Sequence, residues 1–449
     1  MTSVGPIDVY PTRFTCKKHK GQSTYPLLEF MELVDYEVTL RDGSTKVHAK
    51  CTRNAAASIA LVCSESSYEQ ASLVLNRLAG FELSVMTEFH ITNSVGLEFV
   101  KKPPTEIDSS NISEMNEKNR ENVLKSRVME MHHLCNNKKL KKFIQKMVKY
   151  GPDGILYKDY HGPTIKVMYI SCDGTGVPGR PEELAQKKGK QSDGSAKTFE
   201  AKIGAVYIVE YTADGKPLLT ESGEMYRDKK VKYMGTTRTA EDFGLMLYQH
   251  AVENGLGDMD CVVFLGDGAR WIWGIQQKYF PHALTAIDLY HAIEHVNAMV
   301  DLIQFKGQTG SNKKKAFKEK CIELLRCGNI LDMLDLIKSK PCKEGKKEKL
   351  ETDMNYFSSN IERMNYGAFA LCGIFVGSGV IEAGCKVIVA NRMKNAGMHW
   401  TKDNANIMIA LRCAIRNNEF FHSYLPNEKV SKRRVRFPSK TCAASACAA

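Results

Sequence analysis

The chain has 449 residues and a formal net charge of +12, which favours a polyanionic partner such as nucleic acid over a neutral small-molecule task. Its 14 cysteines are scattered with no CxxC pair, which excludes a disulfide-stapled miniature and fits reduced, buried thiols. No stretch approaches the ~18 apolar residues of a membrane span, and MTSVGPIDVYPTRF lacks the apolar centre of a secretory signal, so the expected location is the cytoplasm. In residues 1–50, Tyr36 to Leu40 alternates and Asp42-Gly43 is a turn dipeptide, which predicts a β-hairpin. Cys16, His19, Cys51 and Cys63 sketch a zinc site, but their spacing is poor, since structural sites pair ligands two to four residues apart on both sides.

Residues 51–100 change to helical character. In SYEQASLVLNRLAG the apolar positions Ala71, Val74, Leu75 and Leu78 form a stripe closed by Gly80, and Ser84 can cap the next helix. Three short helices with a tight turn predict a helix-turn-helix unit, with Thr87, Glu88, His90, Thr92 and Asn93 of the third helix facing a DNA groove. An ordinary helical bundle has the same periodicity. Residues 101–160 read as a Pro- and Ser-rich linker followed by a basic helix carrying Lys138, Lys139, Lys141, Lys142, Lys146 and Lys149.

Acids follow strands three times in residues 161–300. Ile165 to Ser171 reads as a strand ending in Cys172-Asp173-Gly174, and Cys261 to Leu265 as another ending in Asp267. Asp267 lies between Gly266 and Gly268, which let the chain turn and leave room for a close approach to the carboxylate. Leu284 to Ile287 then delivers Asp288 into a helix bearing His291. The order is three strands, helix, strand, helix, strand, helix, which is the order of a ribonuclease H-like α/β core. Residues 301–370 are charged and wholly helical in pattern, an insertion into that core. Residues 371–425 return with Gly377-Ser378-Gly379 ahead of Glu382 on a helix that also carries Lys386, Arg392 and Lys394. The tail from 426 is basic and reads as disordered.

Asp173, Asp267 and Glu382 can converge in such a fold. Clustered acids repel one another, so a site that keeps them ionised needs cations; two Mg²⁺ or Mn²⁺ ions about 3.5–4 Å apart would serve. Each acid alone is equally an ordinary turn or capping residue. A rival motif is His291-Ala292-Ile293-Glu294-His295, the H-x-x-E-H pattern of a zinc peptidase class. It gives no role to the basic charge or to Asp173.

CDGTGVP at 172–178, FEAKIGAVY at 199–207, FLGDGARWIW at 264–273, IDLYHAIEH at 287–295, and GSGVIEAGCK with NRMKNAGMHW up to Trp400 together resemble the DDE transposases of bacterial insertion sequences of the ISKra type. The resemblance spans roughly residues 165–422. It implies a ribonuclease H-like catalytic domain with Asp173, Asp267 and Glu382 as metal-binding catalytic acids, and action on double-stranded DNA at element ends and target. It also implies a homodimer or higher oligomer on DNA, associated with the nucleoid. Asp288-Leu289-Tyr290-His291 is similar to the Asp-x-x-His signature of Mutator-like and hAT-like transposases, which places His291 at the site. Residues 66–96 are similar to the helix-turn-helix segment of those enzymes, with Thr87, His90 and Asn93 as DNA contacts, but this chain lacks the paired CxxC ligands common ahead of it. A catalytically inactive, transposase-derived DNA-binding protein is the alternative. Between the two glutamates, helical geometry sets Glu294 about 240° round from Asp288, which favours Glu382, with Lys386, Arg392 and Lys394 beyond it for DNA phosphates.

Overall fold

The computed structural model describes residues 14–15, 23–24, 33–39, 45–103, 123–136, 140–150, 153–185, 196–227, 230–305 and 310–424. The zinc sketch at Cys16 and His19, the Asp42-Gly43 turn, Lys138, Lys139 and the basic tail lie outside them. The protein is mixed α/β and mostly helical. Strands β1 (Leu33–Thr39) and β2 (Thr45–Thr52) pair antiparallel with a register shift at Tyr36/Glu37. Helices α1 (Arg53–Glu65), α2 (Tyr68–Ala79) and α3 (Val85–Leu97) follow, each begun by a hydroxyl side chain, from Thr52, Ser67 and Ser84, that accepts a backbone N–H. Gly80 ends α2 with φ +65°, a left-handed cap that suits glycine.

Helices α4 (Val123–His132) and α5 (Lys141–Tyr150) were expected to belong to a linker, yet Leu124, Val128, Cys135 and Ile144 are buried in the main core. The central sheet comprises β3 (Thr164–Pro178), β4 (Thr198–Thr212), β5 (Lys232–Thr236), β6 (Cys261–Gly266) and β7 (Leu284–Ile287). Across the sheet the order is β7-β6-β3-β4-β5, parallel among β7, β6 and β3 and antiparallel from β3 to β5. Between the strands run α6 (Ala240–Glu253) and α7 (Arg270–Tyr279).

After β7 come α8 (Leu289–Asp301) and the inserted helices α9 (Gly310–Arg326), α10 (Ile330–Lys338) and α11 (Lys347–Ser359), then α12 (Tyr366–Leu371). The chain returns through α13 (Gly379–Gly384), a π-helical stretch over Cys385–Ala390, α14 (Lys402–Arg416) and α15 (Glu419–Tyr424). No helix of the described residues is long and apolar enough to cross a membrane.

Strand alternation sends successive side chains to opposite faces, and here both faces are covered. On β4, a Cβ at Gly204 would meet Leu247 and Phe243 of α6, whereas neighbouring Ile203 packs at Gly384 and beside Ile409 of α14. Continuous burial from Val167 to Cys172 and throughout β6 follows from this sandwiching.

The N-terminal helices are not a separate module. Residues of α1 to α3 share one core with Leu411, Ala414, Ile415, Phe420 and Tyr424. Arginines reinforce the junction: buried Arg412 donates to the carbonyls of Ser64, Val387 and Ile388, and Arg392 donates to the carbonyl of Cys63 at 2.8 Å. The bonds to Cys63 and Ser64 satisfy carbonyls of the last turn of α1, which have no helical partner.

Candidate active site

Sheet register brings two acids together. Leu265 of β6 lies opposite Ser171 of β3, so two residues further on Asp267, just past the end of β6, comes beside Asp173, which sits within β3 rather than at its expected end because pairing with β4 carries that strand on to Pro178. Brought side by side, the two carboxylates share a cavity of about 340 Å³ with Asp288, Tyr290, His291, Glu294, Ser378 and Glu382. Burial, aided by the charge of Asp267, holds the Asp173 carboxyl above the usual range, while the Gly174 N–H, the Cys385 thiol and His291 work the other way. Gly174 N donates to Asp173 Oδ1 at 2.7 Å and Cys385 Sγ to Oδ2 at 3.6 Å. Asp267 Oδ1 accepts from Ala269 N at 2.7 Å, so this acid also shapes its own turn.

The segment carrying Glu382 is fastened at four points. Tyr211 donates to the carbonyl of Gly373 at 3.1 Å, Phe375 N donates to Tyr169 Oη at 3.3 Å, and the two phenols share a bond of 2.7 Å. Leu289 N donates to the Val376 carbonyl at 3.1 Å, and Ser378 N to Asp288 Oδ2 at 2.6 Å. The other oxygen of Asp288 accepts from His291 N at 2.6 Å and caps α8. Asp288 is 3 % exposed, and burial raises its pKa against the two amides that favour its charge. Its place between strand and helix was legible in the sequence, but its role as the cap of α8 was not drawn from it, and its hold on Ser378 was out of reach because 90 residues separate the partners.

No family model matches the chain, and no curated protein matches it.

Glu382 is exposed in the cleft and accepts a bond from the hydroxyl of Ser378. Among the described residues, no three His, Cys, Asp or Glu side chains stand close enough together to hold a metal ion. Glu294, expected on a different face from Asp288, reaches the same cavity, where its carboxylate lies 3.8 Å from His291 Nδ1 and is largely exposed. Glu294 lies three residues after His291 and so stands beside it on the helix surface, and it reaches the cavity next to that imidazole even though Asp288 leaves from the cap.

The H-x-x-E-H pattern does not form a zinc site here. His291 and His295 meet edge to face at 5.0 Å between ring centres, and His295 Nδ1 lies 3.3 Å from Asp353 Oδ1. Two DNA assignments also change. Arg392 is 1 % exposed, its guanidinium 5.0 Å from the Tyr68 ring centre and 5.2 Å from that of Trp400, so it holds two parts of the fold together rather than facing a phosphate. On α3, Glu88 and Thr92 are buried, Asn93 donates to Asn404 at 3.3 Å, and Gly96 sits so close to Ile407 that a Cβ would stand 2.6 Å away. Much of the face expected to meet DNA is therefore covered, Glu88 and Thr92 by Cys63 of α1 and Ser72 of α2, and Asn93 and Gly96 by α14, with Thr87 and His90 half-buried. Val74 and Leu78, expected inside with Ala71 and Leu75, are exposed on α2. Lys386 and Lys394 are exposed beyond Glu382, and Lys394 Nζ donates to Thr175 Oγ1 at 2.6 Å on the strand that carries Asp173.

Proposed function

We propose that the chain is a DDE-type transposase, binding the ends of an insertion sequence in double-stranded DNA, cutting there and joining the freed 3′-hydroxyl to target DNA. The observation that carries this is the meeting of Asp173, Asp267 and Glu382, from three distant parts of the chain, in one cleft beside exposed lysines. The strand order, three sequential antiparallel strands with two parallel ones added beyond the first, supports a ribonuclease H-like core.

The donor types suit divalent cations: Asp173 and Asp267 press like charge together, and Glu382 lines the same cavity, although bonded to Ser378 it does not stand close enough to make a three-ligand set with them. Bound Mg²⁺ or Mn²⁺ would neutralise phosphate charge and lower the pKa of a bound water. The chain's own groups do the rest. Asp288 holds the Ser378 turn and so places Glu382, Lys394 and Lys386 offer cations to DNA phosphates, and His291 presents an imidazole that can donate to a phosphate oxygen. DNA contact by the helix-turn-helix region falls to what α14 leaves open, including Asn76 and Arg77 on α2.

The test is cleavage of duplexes carrying the sequences that flank the gene, in Mg²⁺ or Mn²⁺. Glu382→Gln should lose about 100-fold or more, the scale of removing one charged group that acts on the transition state, while Glu294→Gln retains substantial activity. Reversal of the two, or no strand cleavage by the unaltered protein, would overturn the proposal.

A further inference from the structure

The helical insertion packs one aromatic side chain against the turn that follows Asp267. Tyr356 of α11 lays its ring against Gly268, where a Cβ would stand 1.9 Å from Tyr356 Cε2. The space beside Asp267 that glycine leaves open is therefore taken by this ring. Tyr356 also stacks on His295, with ring centres 4.1 Å apart and planes 20° from parallel. His295 is held in turn by Asp353, one turn earlier on α11. Packed in this way, the phenol ring has little freedom.

Its hydroxyl is buried and makes no hydrogen bond. Burial first, then the charges of Asp267 and Asp288, hold the phenol well above its ordinary pKa, so it stays a neutral donor. A buried donor without an acceptor is costly, and such groups are rare in folded proteins. Asp288 has both oxygens engaged by backbone N–H groups. Asp267 engages Oδ1 with Ala269 N, and no bond is made to its Oδ2 among the described residues. A donor without an acceptor thus belongs to a ring packed on the glycine that directly follows Asp267, whose Oδ2 takes no donor from the described residues.

We propose that Tyr356 is a positioning residue for Asp267: once a divalent cation is bound through one oxygen of Asp267, the hydroxyl, unpaired in the metal-free protein, donates to the other, so that the insertion completes the acid site. A carboxylate that binds a cation through one oxygen is commonly oriented by a hydrogen bond to the other. This inference rests on the acid cleft being a divalent-cation site, as in the function proposed above.

Tyr356→Phe keeps the ring on Gly268 and His295 and removes only the hydroxyl. Binding of Mn²⁺ to the full chain is measured by titration calorimetry, beside thermal unfolding without metal and Mn²⁺-dependent strand cleavage. The variant should unfold within a degree or two of the unaltered protein, bind Mn²⁺ about tenfold more weakly, as expected for one bond to a charged group, and recover its cleavage rate as Mn²⁺ is raised. Gly268→Ala, which must displace the ring, should weaken Mn²⁺ binding in the same direction. Equal Mn²⁺ affinity in Tyr356→Phe and the unaltered protein overturns the inference and leaves the transposase reading standing. Weaker Mn²⁺ binding by the variant with no DNA cleavage by either protein supports the positioning role and overturns the transposase reading. No Mn²⁺ binding by the unaltered protein overturns both.

Discussion

Asp288→Asn separates two tasks that one buried carboxylate performs. Asparagine caps helices as well as aspartate does, so the bond from His291 N and the start of α8 should survive. The bond from Ser378 N should not, because the amide then presents an NH₂ group to a backbone donor. A hydrogen bond to a charged group contributes about 1.5–3 kcal/mol. Part of that is offset, since burial already disfavours the carboxylate, as its raised pKa records. The expected loss is therefore about 1–2 kcal/mol for Asp288→Asn and, with the helix cap also gone, about 2–4 kcal/mol for Asp288→Ala. Urea unfolding measures both. Amide exchange at Ser378 should speed up in Asp288→Asn while His291 stays protected, and DNA cleavage should fall because Glu382 loses its tether. Unchanged stability together with unchanged exchange at Ser378 would refute the reasoning that Asp288 holds the turn.

Asp173→Asn should stabilise the metal-free protein at neutral pH, the reverse of its expected effect on cleavage. The folded-state pKa of Asp173 is raised, so its charge weakens the fold as pH climbs from the unfolded value near 3.8 through the folded one. The gain seen in melting temperature at pH 7 should thus shrink towards zero as the pH approaches that lower limit; a gain independent of pH would count against charge as the cause. Arg392→Met should cost roughly 1–3 kcal/mol in urea unfolding, from the lost bond to Cys63 and the two ring contacts. The salt dependence of DNA binding should keep its slope; a reduced slope would return Arg392 to the DNA surface.

Much that depends on local pattern was readable along the chain. Apolar runs that lead to an acid, at Ser171 to Asp173, Leu265 to Asp267 and Ile287 to Asp288, mark the three parallel strands of the five-stranded sheet, because a strand buried on both faces leaves few other ways to write it, though β3 runs on past Asp173 to Pro178. Hydroxyl caps at Ser67, Ser84 and Thr239 mark helix starts for an equally local reason, the unpaired amides of a first turn. The pattern of α3 was ambiguous by nature. Periodicity shows that a helix has two faces but not what covers the polar one, and Glu88 and Thr92 proved to be inside.

What the sequence by itself determined, then, is which segments are strands and helices and which of them carry acids, since both follow from neighbours within a few residues. Only the tertiary structure decided the partners. It set Asp267 beside Asp173 through the register of β6 on β3, tied Asp288 to Ser378, put Arg392 between Tyr68 and Trp400, and laid Tyr356 on Gly268. The physical reason is common to all four. A long-range contact depends on how whole elements pack, which sums many weak dispersion and burial terms over the core, and no single residue type or spacing carries that sum.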